Sequence, residues 1–237
     1  MLNNVSIIKR FKNLIILLLY KLNKLNYSAL PQEGENAILR RLFPYNNGFY
    51  VDIGAYHPLF FSNTSMLYKF GWSGINIEPN YVNFKKFKKH RKRDVNLNCA
   101  ISGNTNELYY YEYLEPALNT TSEIQVQERK KQGINYINKR VIRCEKLGEI
   151  LKKFCRKKRI DFLNIDTEGT EAEILKTNNW KKFKPKVIFC EILNCDLEQA
   201  IKNKITIFLK TKGYVIFAKF YNNAVYVHRS FYKNISR

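Results

Sequence analysis

The chain has 237 residues, 45% apolar and 14% aromatic, enough for one sizeable α/β core and unlike a low-complexity polypeptide. Lysine and arginine outnumber aspartate and glutamate by 41 to 20, a formal charge of +21, which calls for an anionic partner or else only solvates a Lys- and Asn-rich surface. Cys99, Cys144, Cys155, Cys190 and Cys195 are odd in number and lack paired metal spacings, which argues against a disulfide framework and for reduced thiols in a cytoplasmic protein.

Residues 1–28 carry a helical apolar stripe (Ile7, Ile8, Phe11, Leu14, Ile15, Leu18, Leu19, Leu22, Leu25) beside Lys9, Arg10, Lys12, Lys21 and Lys24, with no acid. That pattern predicts a basic amphipathic helix. Its longest apolar run, Leu14 to Tyr20, is far short of the ~20 residues that span a bilayer, and no small-residue cleavage site follows. The helix is expected to dock on the domain, pair with a second subunit in a homo-oligomer, or lie on an anionic inner-membrane surface. Residues 29–237 are read as a single domain, beginning with a linker over 29–34 and a short helix from Glu35 to Leu42.

Phe49 to Ile53 is an apolar run that stops at Gly54-Ala55, as a buried parallel strand does where it meets a ligand-binding turn. Ser62 or Asn63 then caps a helix carrying Met66, Leu67 and Phe70, which Gly71 stops. Gly74 to Ile77 is the second strand, closed by Glu78-Pro79. Asp52 and Glu78 therefore sit at the carboxyl ends of neighbouring strands, the edge at which open α/β sheets bind ligands. Tyr81, Phe84 and Phe87 mark one face of the next helix, and the run from Lys85 to Arg93, Arg91 included, reads as its solvated side. Val95 to Ile101 is a third strand and Glu107 to Tyr113 an extended, Tyr-rich segment. Residues 115–139 lack apolar periodicity and read as a substrate-side insertion, either a lid or disordered. Arg140 to Cys144 is extended; Leu147, Ile150, Leu151 and Phe154 form a helix face; Ile160 to Asp166 and Lys186 to Ile192 are further core strands, with a helix from Thr170 to Lys176 between them. A helix carrying Leu197, Ile201, Ile205, Phe208 and Leu209 precedes two strands, Tyr214 to Ala218 and Ala224 to Val227, joined around Asn222-Asn223. Alternating strands and helices predict a doubly wound, mostly parallel seven-stranded sheet with one antiparallel edge strand.

Three blocks in order also carry a resemblance: Gln32-Glu33-Gly34-Glu35; Asp52-Ile53-Gly54-Ala55 followed by His57-Pro58, Ser62-Asn63-Thr64 and Gly71-Trp72 to Ile77-Glu78-Pro79; and Asn164-Ile165-Asp166-Thr167-Glu168-Gly169. Together they resemble the FkbM family of S-adenosylmethionine-dependent methyltransferases. Asn36 stands where that family usually has Asp, and Asn164 where it often has Lys. The resemblance implies a class I, Rossmann-like methyltransferase fold and a cofactor site drawn from Asp52, Gly54, Ala55, Asn63, Glu78, Pro79, Ala100 and Asp166, with Glu78 accepting from the two ribose hydroxyls. A bidentate carboxylate suits two adjacent hydroxyls, and the turn lacks the later glycines of a dinucleotide loop.

The implied reaction is O-methylation of a sugar hydroxyl in a surface polysaccharide, glycolipid or nucleotide-linked precursor. A sugar hydroxyl is a poor nucleophile at neutral pH and calls for a base. His57, Asp166 and Glu168 are the catalytic candidates, His57 accepting the proton and an acid positioning the ring; Glu191 and His228 are further candidates. Asp166 and Glu168 with His57 could instead hold a divalent cation, but no diagnostic metal spacing is present, and no metal is expected. The charge motivates a nucleic-acid methyltransferase as a rival, opposed by the absence of an N-P-P-Y type motif or a separate RNA-binding module. A noncatalytic membrane-associated scaffold retaining the fold is the other rival.

Overall fold

The computed structural model describes residues 33–155 and 158–235, so the amphipathic helix expected over 1–28 and most of the expected linker lie outside it. Helix α1 (Glu35–Leu42) leads to β1 (Phe49–Ile53), α2 (Ser65–Lys69), β2 (Ser73–Ile77), α3 (Tyr81–His90) and β3 (Val95–Leu97). Then come β4 (Ala100–Ile101), β5 (Glu107–Glu112), α4 (Glu123–Lys131), β6 (Asn138–Glu145), α5 (Leu147–Phe154) and β7 (Phe162–Ile165). The chain continues through α6 (Glu171–Lys176), β8 (Val187–Glu191), α7 (Leu197–Lys202), α8 (Lys204–Thr211), β9 (Tyr214–Lys219), β10 (Asn223–His228) and α9 (Arg229–Ile235). Seven strands form one sheet in the order β3-β2-β1-β7-β8-β10-β9. The pairs among β3, β2, β1, β7 and β8 are parallel, and the antiparallel hairpin of β9 and β10 forms the far edge. This is the class I methyltransferase architecture.

Every residue of β1, β7 and β8 is buried, because a parallel sheet is covered on both faces. Phe49, Val51 and Ile53 join one apolar layer with Leu147, Ile150 and Leu163, while Tyr50 joins the other with Leu39, Leu42, Met66 and Trp72. Asp52 shares the face of Tyr50, since alternate strand residues point the same way. Register puts it opposite Asn76 on β2 and Asn164 on β7, a buried polar row across the sheet.

Several boundaries differ from the sequence reading because tertiary partners outcompete local ones. Neither Ser62 nor Asn63 caps α2: its N-cap is Thr64, with no side-chain cap bond, and the Asn63 amide donates instead to Asn164 at 3.1 Å. The expected third strand divides because the Asn98 amide donates to the carbonyls of Glu78 and Pro79, so that β3 pairs with β2 while β4 joins a separate sheet with β6 and β5. The expected helix after Leu197 breaks at Asn203, whose side chain accepts from the Ile205 N–H and starts α8. Residues 115–139 are structured: Ser122 caps α4 and only Val126 and Arg129 of that helix are buried, too narrow a stripe to register as periodicity.

Arg91 is a further correction. It is 1% exposed rather than solvated, and it donates to the Pro58 carbonyl, the Tyr50 hydroxyl, the Thr64 carbonyl and Ser62 Oγ. A guanidinium has five donors, and here they tie the loop after β1 to the C-terminal end of α3. All five cysteines are free. Among the described residues no helix is long and apolar enough to cross a membrane.

Candidate active site

A cavity of about 490 Å³ opens at the carboxyl ends of β1, β2, β7 and β8. Asp52, Gly54, Ala55, Asn63, Glu78, Pro79, Ala100, Asp166 and Glu168 all line it. Gly54 has φ +74°, and a Cβ there would lie 1.7 Å from the Asp166 carbonyl oxygen. The ends of β1 and β7 can approach this closely only over a glycine.

At one end of the cavity, protein donors hold the carboxylates. Asp52, 1% exposed, accepts from Thr64 Oγ1 at 2.7 Å and from the Asn164 amide at 2.9 Å. Burial raises its pKa, and those two bonds oppose the rise. Asn164, which departs from the family pattern, thus bridges Asp52 to Asn63. Glu78 accepts from the backbone N–H groups of Tyr56 and Asn80, each at 2.7 Å. Burial nonetheless pushes it up to about 8. Tyr110, Cys99 and Ile101 complete this end; the sequence reading did not single them out, since they come from β4, β5 and the turn before them.

The other end gathers Asp166, Glu168 and Glu191, whose nearest carboxylate oxygens lie within 4.8 Å of one another. Burial, followed by mutual repulsion, holds Asp166 and Glu191 well above the usual carboxylate range. Glu168 is raised by burial and lowered by the guanidinium of Arg129, which donates to one of its oxygens. Thr120 Oγ1 donates to the Glu168 carbonyl at 2.8 Å, so the segment read as an insertion clamps the turn that carries the acid. Glu171 Oε1 accepts from the Thr167 N–H, the Thr167 hydroxyl and the Gly169 N–H. Glu168 itself has φ +58°, and Tyr56, Phe61 and Asn194, which also line the cavity, share the left-handed conformation. Such backbone costs roughly 1 to 3 kcal/mol per residue and tends to concentrate at functional sites.

The two histidine candidates lie elsewhere. His57 does not line the cavity; its Nδ1 accepts the N–H groups of Leu59 and Phe60, each at 3.2 Å, and its ring stacks on Phe60. Burial and the nearby charges of Lys86, His90 and Arg91 push its pKa down to about 3. The ring expected to accept the acceptor's proton is thus placed outside the cavity, where it organises the turn that contains it. His228 packs edge-on against Tyr214 and contacts Ser230 through Nδ1. Glu35, Arg129 and Asn223 line the cavity without having been flagged as site residues. Glu35 belongs to the quoted lead-in block, Arg129 falls within the segment 115–139 and Asn223 within the turn expected around Asn222-Asn223.

A family model described as the methyltransferase FkbM domain matches residues 52–216. The chain belongs to the FkbM methyltransferase family. As an FkbM protein it is an S-adenosylmethionine-dependent methyltransferase, and the match runs from Asp52 at the cavity to Ile216 in β9. The solved structure of precorrin-6y C5,15-methyltransferase from Geobacter metallireducens GS-15 is similar at a TM-score of 0.41 and 14% identity, over 85% of this chain and 92% of that one. No curated protein matches the chain.

Proposed function

We propose that this FkbM methyltransferase methylates a sugar hydroxyl, in a surface polysaccharide, glycolipid or nucleotide-linked precursor. The observation that carries the reading is the make-up of the cavity, where a carboxylate fit for a ribose diol and a second, carboxylate- and amide-rich end open into one space. Asn119, Thr120, Thr121, Asn194, Asn222 and Asn223 also line this space, a donor and acceptor set that matches a hydroxyl-bearing ligand.

The cofactor is tested by the donors present. Glu78 is fixed by two backbone N–H groups and retains lone pairs toward the cavity, and Gly54 leaves open the close approach between β1 and β7 that a Cβ would fill. The residues fit. Glu78 would hold the ribose hydroxyls, with Gly54, Ala55 and Asp52 beside the methionine moiety, and the cofactor supplies an electrophilic methyl group. Asp166 and Glu168 orient the acceptor hydroxyl and take up its proton. Positioning of this kind can supply effective molarities up to about 10⁵ to 10⁸ M, and a placed base adds roughly 10² to 10⁴. Arg91 acts indirectly, by fixing the loop that carries Thr64 against Asp52.

The test is incorporation of label from methyl-labelled S-adenosylmethionine by the full chain, offered sugar nucleotides, polysaccharide and tRNA in parallel. Label in an ether on carbohydrate supports the reading; label in RNA, or cofactor binding with no carbohydrate product, overturns it. Absence of cofactor binding in a calorimetric titration would favour a scaffold. On sequence alone, residues 1–28 are read as docking on the domain, pairing with a second subunit or lying on an anionic inner-membrane surface; in the last case their deletion should reduce binding to anionic vesicles.

A further inference from the structure

The cavity is far more acidic than the molecule around it. Seven carboxylates line it, those of Glu35, Asp52, Glu78, Glu128, Asp166, Glu168 and Glu191, against one cation, Arg129. Asp52 and Glu78 are satisfied by protein donors, and Arg129 takes one oxygen of Glu168. Glu191 differs. It is 6% exposed, and its Oε2 is buried without a hydrogen-bond partner. Register sets Asn223 on β10 directly opposite Glu191 on β8, so their side chains stand side by side on one sheet face. Asn223 is also 6% exposed, and its Oδ1 is likewise buried without a partner. The orientation of that amide is settled by its neighbour, because its Nδ2 donates to Glu35 Oε1 at 3.3 Å. Of these two buried acceptors lacking donors, one belongs to the three-carboxylate cluster and the other stands beside it.

We propose that Asp166, Glu168, Glu191 and Asn223 Oδ1 form a site for a hard divalent cation of the Mg²⁺, Mn²⁺ or Ca²⁺ class. All four groups present oxygen, the ligand those ions select. The geometry agrees: ligands about 2.0 to 2.6 Å from a shared ion stand at most about 4 to 5 Å apart across it, and the three carboxylate oxygens lie within 4.8 Å of one another. A cation gives both orphaned acceptors a partner and offsets the repulsion within the cluster. The ligands come from the ends of β7 and β8, the turn after β7 and the start of β10, which explains why no metal spacing shows in the sequence. His57, the third ligand that sequence reasoning considered, is absent from the cluster, and Glu191 takes its place. Resting on the reading of this cavity as the methyl-transfer site, the ion would hold an acceptor oxygen there and admit a phosphorylated or acidic sugar that a cavity lined by seven acids and one cation disfavours.

The experiment is Mn²⁺ titration of the metal-stripped full chain, followed by electron paramagnetic resonance, with neither S-adenosylmethionine nor acceptor present. One Mn²⁺ should bind per chain with a dissociation constant on the order of 10⁻⁴ M or tighter, and Mg²⁺ should compete for it. Glu191→Gln, which keeps the side-chain shape, should weaken binding at least tenfold, and Asn223→Ala should weaken it too, while Glu173→Gln, at an exposed acid outside the cavity, should not. No saturable Mn²⁺ binding by wild type, or equal affinity in a folded Glu191→Gln protein, overturns the proposal. A separate titration with S-adenosylmethionine distinguishes the two readings. Cofactor binding without Mn²⁺ binding removes the cation site alone; Mn²⁺ binding without cofactor binding removes the methyl-transfer reading alone.

Discussion

The two ends of the cavity use the same residue type in opposite ways. At the β1–β2 end, Asp52 and Glu78 each accept two hydrogen bonds from the protein. At the β7–β8 end, Glu191 Oε2 and Asn223 Oδ1 accept none. A satisfied carboxylate is preorganised to hold a ligand in one pose. A clustered, unsatisfied one is poised to receive charge from outside, whether a proton or an ion. The contrast divides binding from chemistry along a single sheet edge, because strand ends supply the side chains of both halves, but Thr64, Asn164 and two backbone N–H groups stand against the acids of the first half, while no protein donor stands against Glu191 Oε2.

The largest effect that sharpens this division is expected from Asp166→Asn. Turnover should fall by roughly 10² to 10⁴ while cofactor affinity, measured by calorimetry, stays within a fewfold. Equal loss of affinity would erase the distinction between the ends. Behind the ordered end stands Arg91, and Arg91→Met leaves the Pro58 carbonyl without its donor and removes the guanidinium that faces Asp94 at 3.9 Å, although Asp94 keeps Tyr50, Gly74 and Asn76 as donors. Removing one partner from such a buried network costs about 3 to 5 kcal/mol, to be read from urea unfolding; a loss below about 1 kcal/mol would show that the loop holds without it.

Glu78→Ala should weaken S-adenosylmethionine binding by about 1.5 to 3 kcal/mol for each charge-assisted bond lost, with the folded state confirmed by circular dichroism. Unchanged affinity would move the ribose elsewhere. The same group has a pH signature. Its pKa rises from 4.5 in the unfolded chain to about 8 when buried, so the folded state binds more protons than the unfolded one between those values. The stability it contributes is therefore present below about pH 4.5 and lost as the pH climbs through 8. Ligand-free wild type should lose melting temperature across that window more steeply than Glu78→Gln; parallel slopes would contradict the assignment.

The smallest effect is expected at His57. His57→Ala loses two backbone-to-ring hydrogen bonds, about 1 kcal/mol each, and turnover should stay within about threefold. A fall of 10² or more on the true acceptor would restore the imidazole as a base.

Much was determined by the sequence alone. The apolar runs ending in Asp52, Glu78 and Asp166, each followed by a turn, marked the carboxyl edge of the sheet, and a period of two or 3.6 is written locally into the chain. The hairpin around Asn222-Asn223 was legible for the same reason. What only the tertiary structure decided are properties of groups distant in sequence. Arg91 sits in a run of exposed cations, and nothing local separates it from Lys88 or Lys92; its burial follows from α3 ending against the loop after β1. His57 follows the cofactor turn by two residues, yet hydrogen bonds to Leu59 and Phe60 turn its ring into that loop. Arg129 meets Glu168 across 39 positions, and Asn223 stands beside Glu191 only because β10 runs antiparallel to β8. Pairing across a sheet is set by the cheapest joint burial of all the strands, and a residue's own neighbours in the chain carry no record of it.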